Sequence, residues 1–161
     1  MVPDDIDGLL EAGYRYAFAL AHDASDAEDL LQDAVVSILA AGGAWERPYL
    51  FVTIRNRFID RRRRNRKILF LALDTDDERH EVDLADQNWE APDVFSADLL
   101  QEALGALRSV EREALFLSIV EGYTAEEIAR MTGRSRGTIL SILYRTKAKL
   151  RKLLEKRREV L

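Results

Sequence analysis

The sequence predicts an all-α protein of two small helical domains joined by an acidic linker. Three observations carry that expectation. Apolar residues recur at helical spacing through most of 5–68 and 96–157, helix starts are marked by Ser or Thr three residues ahead of Glu, and 69–95 is acidic with little periodicity. The expected boundaries are 1–68, 69–95 and 96–161.

The first helix is expected over 5–21, with Ile6, Leu9, Leu10, Tyr14, Ala17 and Leu20 on one stripe. Ser25 and Glu28 have capping-box spacing and should open a second helix that runs to about residue 40 through Leu30, Leu31, Ala34, Val35 and Ile38. Gly42 and Gly43 end it. After the loop AGGAWER, Pro48 suits a first helical turn, and a third helix follows with Leu50, Phe51, Ile54 and Phe58 inward and its arginines outward. The linker is expected to be extended or disordered when free. Its apolar run ILFLAL (68–73) reads either as the end of the third helix or as a docking segment, and it also carries the isolated aromatics Trp89 and Phe95.

Helical spacing returns at 99–107, where Leu99, Leu100, Ala103, Leu104 and Leu107 share a face. It continues over 111–120, with Leu115, Phe116, Ile119 and Val120 on the next. Residues 124–145, TAEEIARMTGRSRGTILSILYR, then have the spacing of a helix-turn-helix whose last helix extends to about 157. Thr124 and Glu127 form a capping box, and Ala129 is small where two helices cross. Gly133 can take the left-handed conformation of the turn, Ser135 caps the second helix, and Ile128 and Ile139 face the core. Duplex DNA is the first partner such a motif implies.

Composition narrows the alternatives. With no cysteine among 161 residues, disulfides, thiolate catalysis and cysteine-ligated zinc are excluded. The two histidines, His22 and His80, lie far apart in polar surroundings and read as solvated residues. No apolar run approaches the roughly 20 residues of a membrane span, and the first residues are acidic (Asp4, Asp5, Asp7), so a cytoplasmic protein without membrane insertion is expected. The net charge of −5 is segregated. Arg55, Arg57, Arg61, Arg62, Arg63, Arg64, Arg66 and Lys67 form one basic block, opposed within it only by Asp60. A second runs from Arg130 through Arg134, Arg136, Arg145, Lys147, Lys149, Arg151 and Lys152 to Arg158. Local potential, not the total, guides phosphate binding, so two nucleic-acid surfaces are expected. Paired catalytic carboxylates, a phosphate-cradling glycine loop and a nucleophile with its base are not evident, so neither an enzyme nor a cofactor is expected.

DAEDLLQDAV (26–35), YLFVTIRNRFIDRRRR (49–64) and EREALFLSIVEGYTAEEIARMTGRSRGTI (111–139) together resemble the bacterial sigma-70 family in its compact extracytoplasmic-function branch. The resemblance covers nearly the whole chain in the right order. It implies an N-terminal region 2 bundle that binds the polymerase clamp and melts the minus-10 element, and a C-terminal region 4 domain that binds the polymerase flap and reads the minus-35 element as duplex.

Carried over, the resemblance assigns core-polymerase binding to Asp26, Glu28, Asp29, Gln32 and Asp33. Asn56 matches an asparagine that helps hold an extruded minus-10 nucleotide, and Trp45 and Tyr49 offer stacking surfaces. Phe51 reads as core. Arg55, Arg57, Arg61, Arg62 and Arg64 would neutralise phosphates. The minus-35 surface would comprise Arg134, Ser135, Arg136, Thr138, Leu140, Ser141, Tyr144 and Arg145.

The chain departs from the family pattern in two places. The loop 41–47 is short, and Leu140 and Ile142 stand where lysine or arginine is common, which points to minus-35 binding that is weak, apolar towards thymine methyl groups, or dependent on polymerase. The function implied is an alternative sigma factor with RNA polymerase core, promoter DNA and an anti-sigma factor as partners. A sigma-like protein that sequesters an anti-sigma factor without opening promoters is the alternative. A one-component repressor leaves the N-terminal resemblance unexplained.

Overall fold

The computed structural model describes residues 2–69 and 96–160. It divides into two compact units, Met1–Arg79 and His80–Leu161. Among the described residues there is helix and no strand, and no helix is long and apolar enough to cross a membrane. ILFLAL falls inside the described residues only as far as Leu69, and His80, Trp89 and Phe95 lie outside them.

The first unit packs α1 (Ile6–Ala21), α2 (Ala24–Ala41) and α3 (Arg47–Leu69) each against the other two. Asp5 opens α1 by accepting from the Gly8 N–H at 3.3 Å. Its buried stripe is Leu9, Ala12, Gly13, Tyr16, Ala17 and Leu20. The expected Ile6, Leu10 and Tyr14 are only half-buried, because Tyr16 stacks on Phe51 of α3 with ring centroids 4.6 Å apart and sets the helix rotation. Gly13 allows the close approach. A Cβ there would stand 2.8 Å from Leu50 Cδ2 and 2.9 Å from Leu31 Cδ1.

His22 ends α1 in the left-handed conformation at φ 51°, half-buried with its ring 5.2 Å from Phe18, so it is not the fully solvated residue expected. The helix start expected at Ser25 and Glu28 is displaced. Asp23 caps α2, accepting from the Asp26 N–H at 2.9 Å, since an aspartate is as good a cap as a serine and its charge also favours the helix N-terminus. Gly42, at φ 61°, ends α2 as expected. Leu50, Phe51 and Ile54 are wholly buried on α3, whereas Phe58 is half-buried with the Arg62 guanidinium 5.6 Å above its ring.

In the second unit, α4 (Ala97–Gly105) and α5 (Ser109–Leu115) pack on the long α7 (Arg136–Val160), as does α6 (Ala125–Thr132). Both α4 and α5 start two residues ahead of their expected positions, α4 because Ser96 caps it by accepting from the Leu99 N–H at 3.3 Å. Leu100 is 37% exposed, so the expected apolar face of α4 is narrower, with Ala103 and Leu107 carrying the burial.

The segment Phe116–Val120 is π-helical, with the Glu121 N–H donating to Phe116 O at 3.1 Å. The wider turn rotates the chain by about one residue against a regular helix. Leu117 is therefore wholly buried, and Ile119 and Val120, expected inward, are 60% and 59% exposed. The helix-turn-helix follows its expected grammar. Thr124 and Glu127 exchange capping bonds, Gly133 turns the chain at φ 67°, and Ile128, Ala129 and Ile139 are buried.

Candidate nucleic-acid interface

The register of α2 sets its outer face. With Ala27, Leu30, Ala34 and Ile38 buried, residues Asp26, Glu28, Asp29, Gln32 and Asp33 are exposed. Val36 and Leu39, at 64% and 59% exposed, stand beside them. The sequence reading left these two out of both the apolar stripe and the site set. Their phase against Ala34 and Ile38 is the signal that places them outside. The result is a face with carboxylates towards its N-terminal half and apolar groups towards its C-terminal half, suited to a basic partner with an apolar ridge.

Two different faces emerge on α3. Arg57, Arg61 and Arg64 follow helical spacing towards α2 and, with Asp33, Ser37 and Asp60, line an open groove between the helices. Within it Arg57 donates to Ser37 Oγ, and Arg61 Nη2 donates to Asp33 Oδ2 at 2.6 Å. The structure thus joins residues assigned separately to polymerase and to DNA. Tyr49, 42% exposed, and Asn56, exposed, are two helical turns apart on another face. The same spacing continues to Arg63, exposed and left out of the expected set because only helical phase distinguishes four consecutive arginines.

The Tyr49 ring leans on the loop. A Cβ on Gly43 would lie 2.8 Å from Tyr49 Cε1, so glycine gives the ring its seat. Trp45 is half-buried in the same loop, Arg55 is half-buried on α3, Arg62 and Arg64 are exposed, and Phe51 is core. The arrangement offers aromatic edges, an amide and flanking cations on one small unit, a combination able to hold an unpaired strand.

In the second unit the turn and the start of α7 bring Arg134, Ser135, Arg136 and Thr138 together as exposed residues. Ser135 Oγ accepts from the Thr138 N–H at 3.1 Å and pairs with Thr138 Oγ1 at 2.8 Å, fixing the helix start. Leu140, Ser141, Tyr144 and Arg145 are half-buried, and Arg145 Nε donates to Ser141 O at 3.3 Å. Ile142 is core at 5% exposed, so only Leu140 of the two unusual apolar residues reaches the outer face.

Behind the motif, Glu111 is 5% exposed and holds α5 to α7. Its carboxylate accepts from the Arg108 N–H at 2.9 Å and from Lys149 Nζ at 3.1 Å. Burial pushes this carboxyl up, but the two bonds and the neighbouring positive charges outweigh it and hold it below its usual value of 4.5. Arg112 braces the α4–α5 junction by donating to Leu104 O and Leu107 O. Among the described residues no acidic or histidine cluster could hold a metal ion.

The family model for sigma-70 region 2 matches residues 8–68, and that for sigma-70 region 4 matches residues 97–150. The extracytoplasmic-function RNA polymerase sigma factor SigE of Mycolicibacterium smegmatis is 34% identical over 151 residues, covering 89% of this chain; the chain spans only 57% of that relative's length. The RNA polymerase sigma factor CarQ of Myxococcus xanthus is 33% identical over 136 residues, covering 80% of this chain and 74% of its own length. Among solved structures, the sigma factor RpoE of Bartonella quintana, crystallised with the anti-sigma factor NepR, is similar with a TM-score of 0.70 at 26% identity, covering 94% of each chain.

Proposed function

The chain belongs to the extracytoplasmic-function branch of the sigma-70 family and is an alternative sigma factor of RNA polymerase, and from that premise we propose how its surfaces divide the work. The outer face of α2, with Asp29, Gln32 and Asp33 beside Val36, binds the polymerase clamp. Tyr49, Asn56 and Trp45 hold bases extruded from the minus-10 element, and the arginines of α3 neutralise the phosphates of the separating strand. The turn and outer face of α7 read the minus-35 duplex, and the flap docks on the same unit. Residues 1–68 and 96–161 are the two working domains, a division supported by the ranges of the two family matches.

The carrying observation is the separation of charge by face: exposed carboxylates on α2, exposed arginines on α3 and around the turn before α7. The protein acts without covalent chemistry of its own, by binding energy spent on strand opening, and it works in the cytoplasm where polymerase is. An anti-sigma factor is a further partner, supported by the similar RpoE fold seen with NepR. A sequestering protein that merely resembles a sigma factor is not favoured, since relatives over both units are named as polymerase sigma factors.

Run-off transcription with purified core polymerase on a pool of random promoters tests the reading. Selective initiation at shared sequence elements is expected. Asp29→Arg places a like charge against the partner and should cost core affinity by a hundredfold or more, on the scale of several kcal/mol for like-charge juxtaposition. Unchanged affinity would remove α2 from the polymerase interface.

A further inference from the structure

The outer face of α7 at the start of the helix has a composition that the fold does not require. Outside the buried stripe of Ile139, Ile142, Leu143 and Thr146 lie Gly137, Ser141 and Tyr144, with Leu140 at the border of the stripe, and none of these four is a cation. The nearest cations flank these four: Arg134 and Arg136 sit at their N-terminal edge, and Arg145 is turned back to Ser141 O. Bidentate reading of guanine, the usual task of arginine or lysine, is thus absent from the centre of the face.

Gly137 adds an independent observation. Its φ is not positive, and a Cβ placed on it would meet nothing within 4 Å. Neither backbone conformation nor internal packing calls for glycine there. A missing Cβ on the exposed first turn lets another molecule approach the α7 backbone.

We infer that Leu140 reads a thymine of the minus-35 duplex by covering its C5-methyl group, with Gly137 admitting the helix close to the base edges. Ser141 and Tyr144 supply hydroxyls to the neighbouring pairs. This rests on the reading of α6 and α7 as the duplex-binding motif, and it names the chemistry that motif recognises. A leucine side chain has no donor or acceptor with which to read a base edge, and the thymine methyl is the one apolar group the major groove presents.

The test uses holoenzyme formed from the full chain and core polymerase, on a promoter selected from a random pool. Thymines of the minus-35 duplex are replaced one at a time by deoxyuridine, which differs only by loss of the methyl group. One position is expected to lose about fourfold in affinity, the value of a single methyl group leaving water. That loss should vanish in Leu140→Ala, whose folding is checked by its melting temperature. Gly137→Ala should melt no lower than the parent and bind minus-35 duplex at least tenfold more weakly.

Equal affinity for every thymine and deoxyuridine duplex, on promoters that the holoenzyme still opens, would overturn the inference and leave the sigma-factor reading standing. Unchanged duplex affinity in Gly137→Ala would remove the close approach and the inference with it. If the holoenzyme opened no promoter from the pool, the duplex reading and this inference would fall together.

Discussion

Arg61 on α3 donates to Asp33 on α2 at 2.6 Å, tying the face assigned to polymerase to the face assigned to DNA. Their side chains are 33% and 51% exposed, so solvent screens the pair and its stabilisation is under about 1 kcal/mol. Asp33→Asn and Arg61→Ala should therefore each change unfolding free energy by less than that. The double variant should be no less stable than the worse single, as for one shared interaction. Strictly additive losses in urea titrations would show that the pair does not form in solution.

Replacing Arg62, Arg63 and Arg64 with alanine should impair open-complex formation, because these three side chains are exposed on α3. Each lost phosphate contact on a single strand lowers the salt slope by about 0.7, so a change of about 2 is expected for three. Permanganate reactivity of promoter thymines, measured across a salt series, checks it. Persistent reactivity with the parental slope would make this part of the block a solvated face.

Glu111 sets an acid limit on the second unit. Its carboxyl is lowered in the folded state, so the stability it contributes is present above the usual value of 4.5 and is lost as pH falls through the folded value. The melting temperature of the parent should fall on acidification below about pH 4.5. Glu111→Gln, which cannot ionise, should start lower at neutral pH and show a shallower acid decline. Parallel pH profiles for the two proteins would exclude the role.

Thr146 is wholly buried, and its Oγ1 has no hydrogen-bond partner among the described residues. An unsatisfied buried hydroxyl costs about 1–3 kcal/mol, whereas a methyl of similar shape costs nothing to desolvate. Thr146→Val should raise the melting temperature by several degrees without altering DNA binding, since the residue faces the core and not the outer stripe. A lower melting temperature would mean that the hydroxyl has found a partner.

The helix-turn-helix was legible because each of its positions obeys a local rule. Thr124 and Glu127 satisfy one another's backbone, Gly133 takes a conformation other residues resist, and Ser135 caps the next helix, all within one or two turns of chain. The α2 carboxylates and α3 arginines were legible as charge for the same reason. Less legible was rotation. Tyr14 and Tyr16 are equally plausible core residues from spacing alone, and only the Phe51 ring, brought in from α3, selects Tyr16.

The sequence by itself determined the helices, the two-part organisation, the turn of the DNA-binding motif and the sign of charge on each segment. Periodicity, capping and charge are properties of neighbours along the chain. Only the tertiary structure decided which side chains meet or remain outside. The π-helical turn at Phe116–Val120 exposes Ile119 and Val120 against the regular pattern, packing leaves Val36 and Leu39 on the outer face of α2, and Arg61 finds Asp33 from another helix. A shift of one residue in helical phase is about 100°, enough to turn an apolar side chain from core to surface. The packing that sets that phase comes from residues distant in sequence.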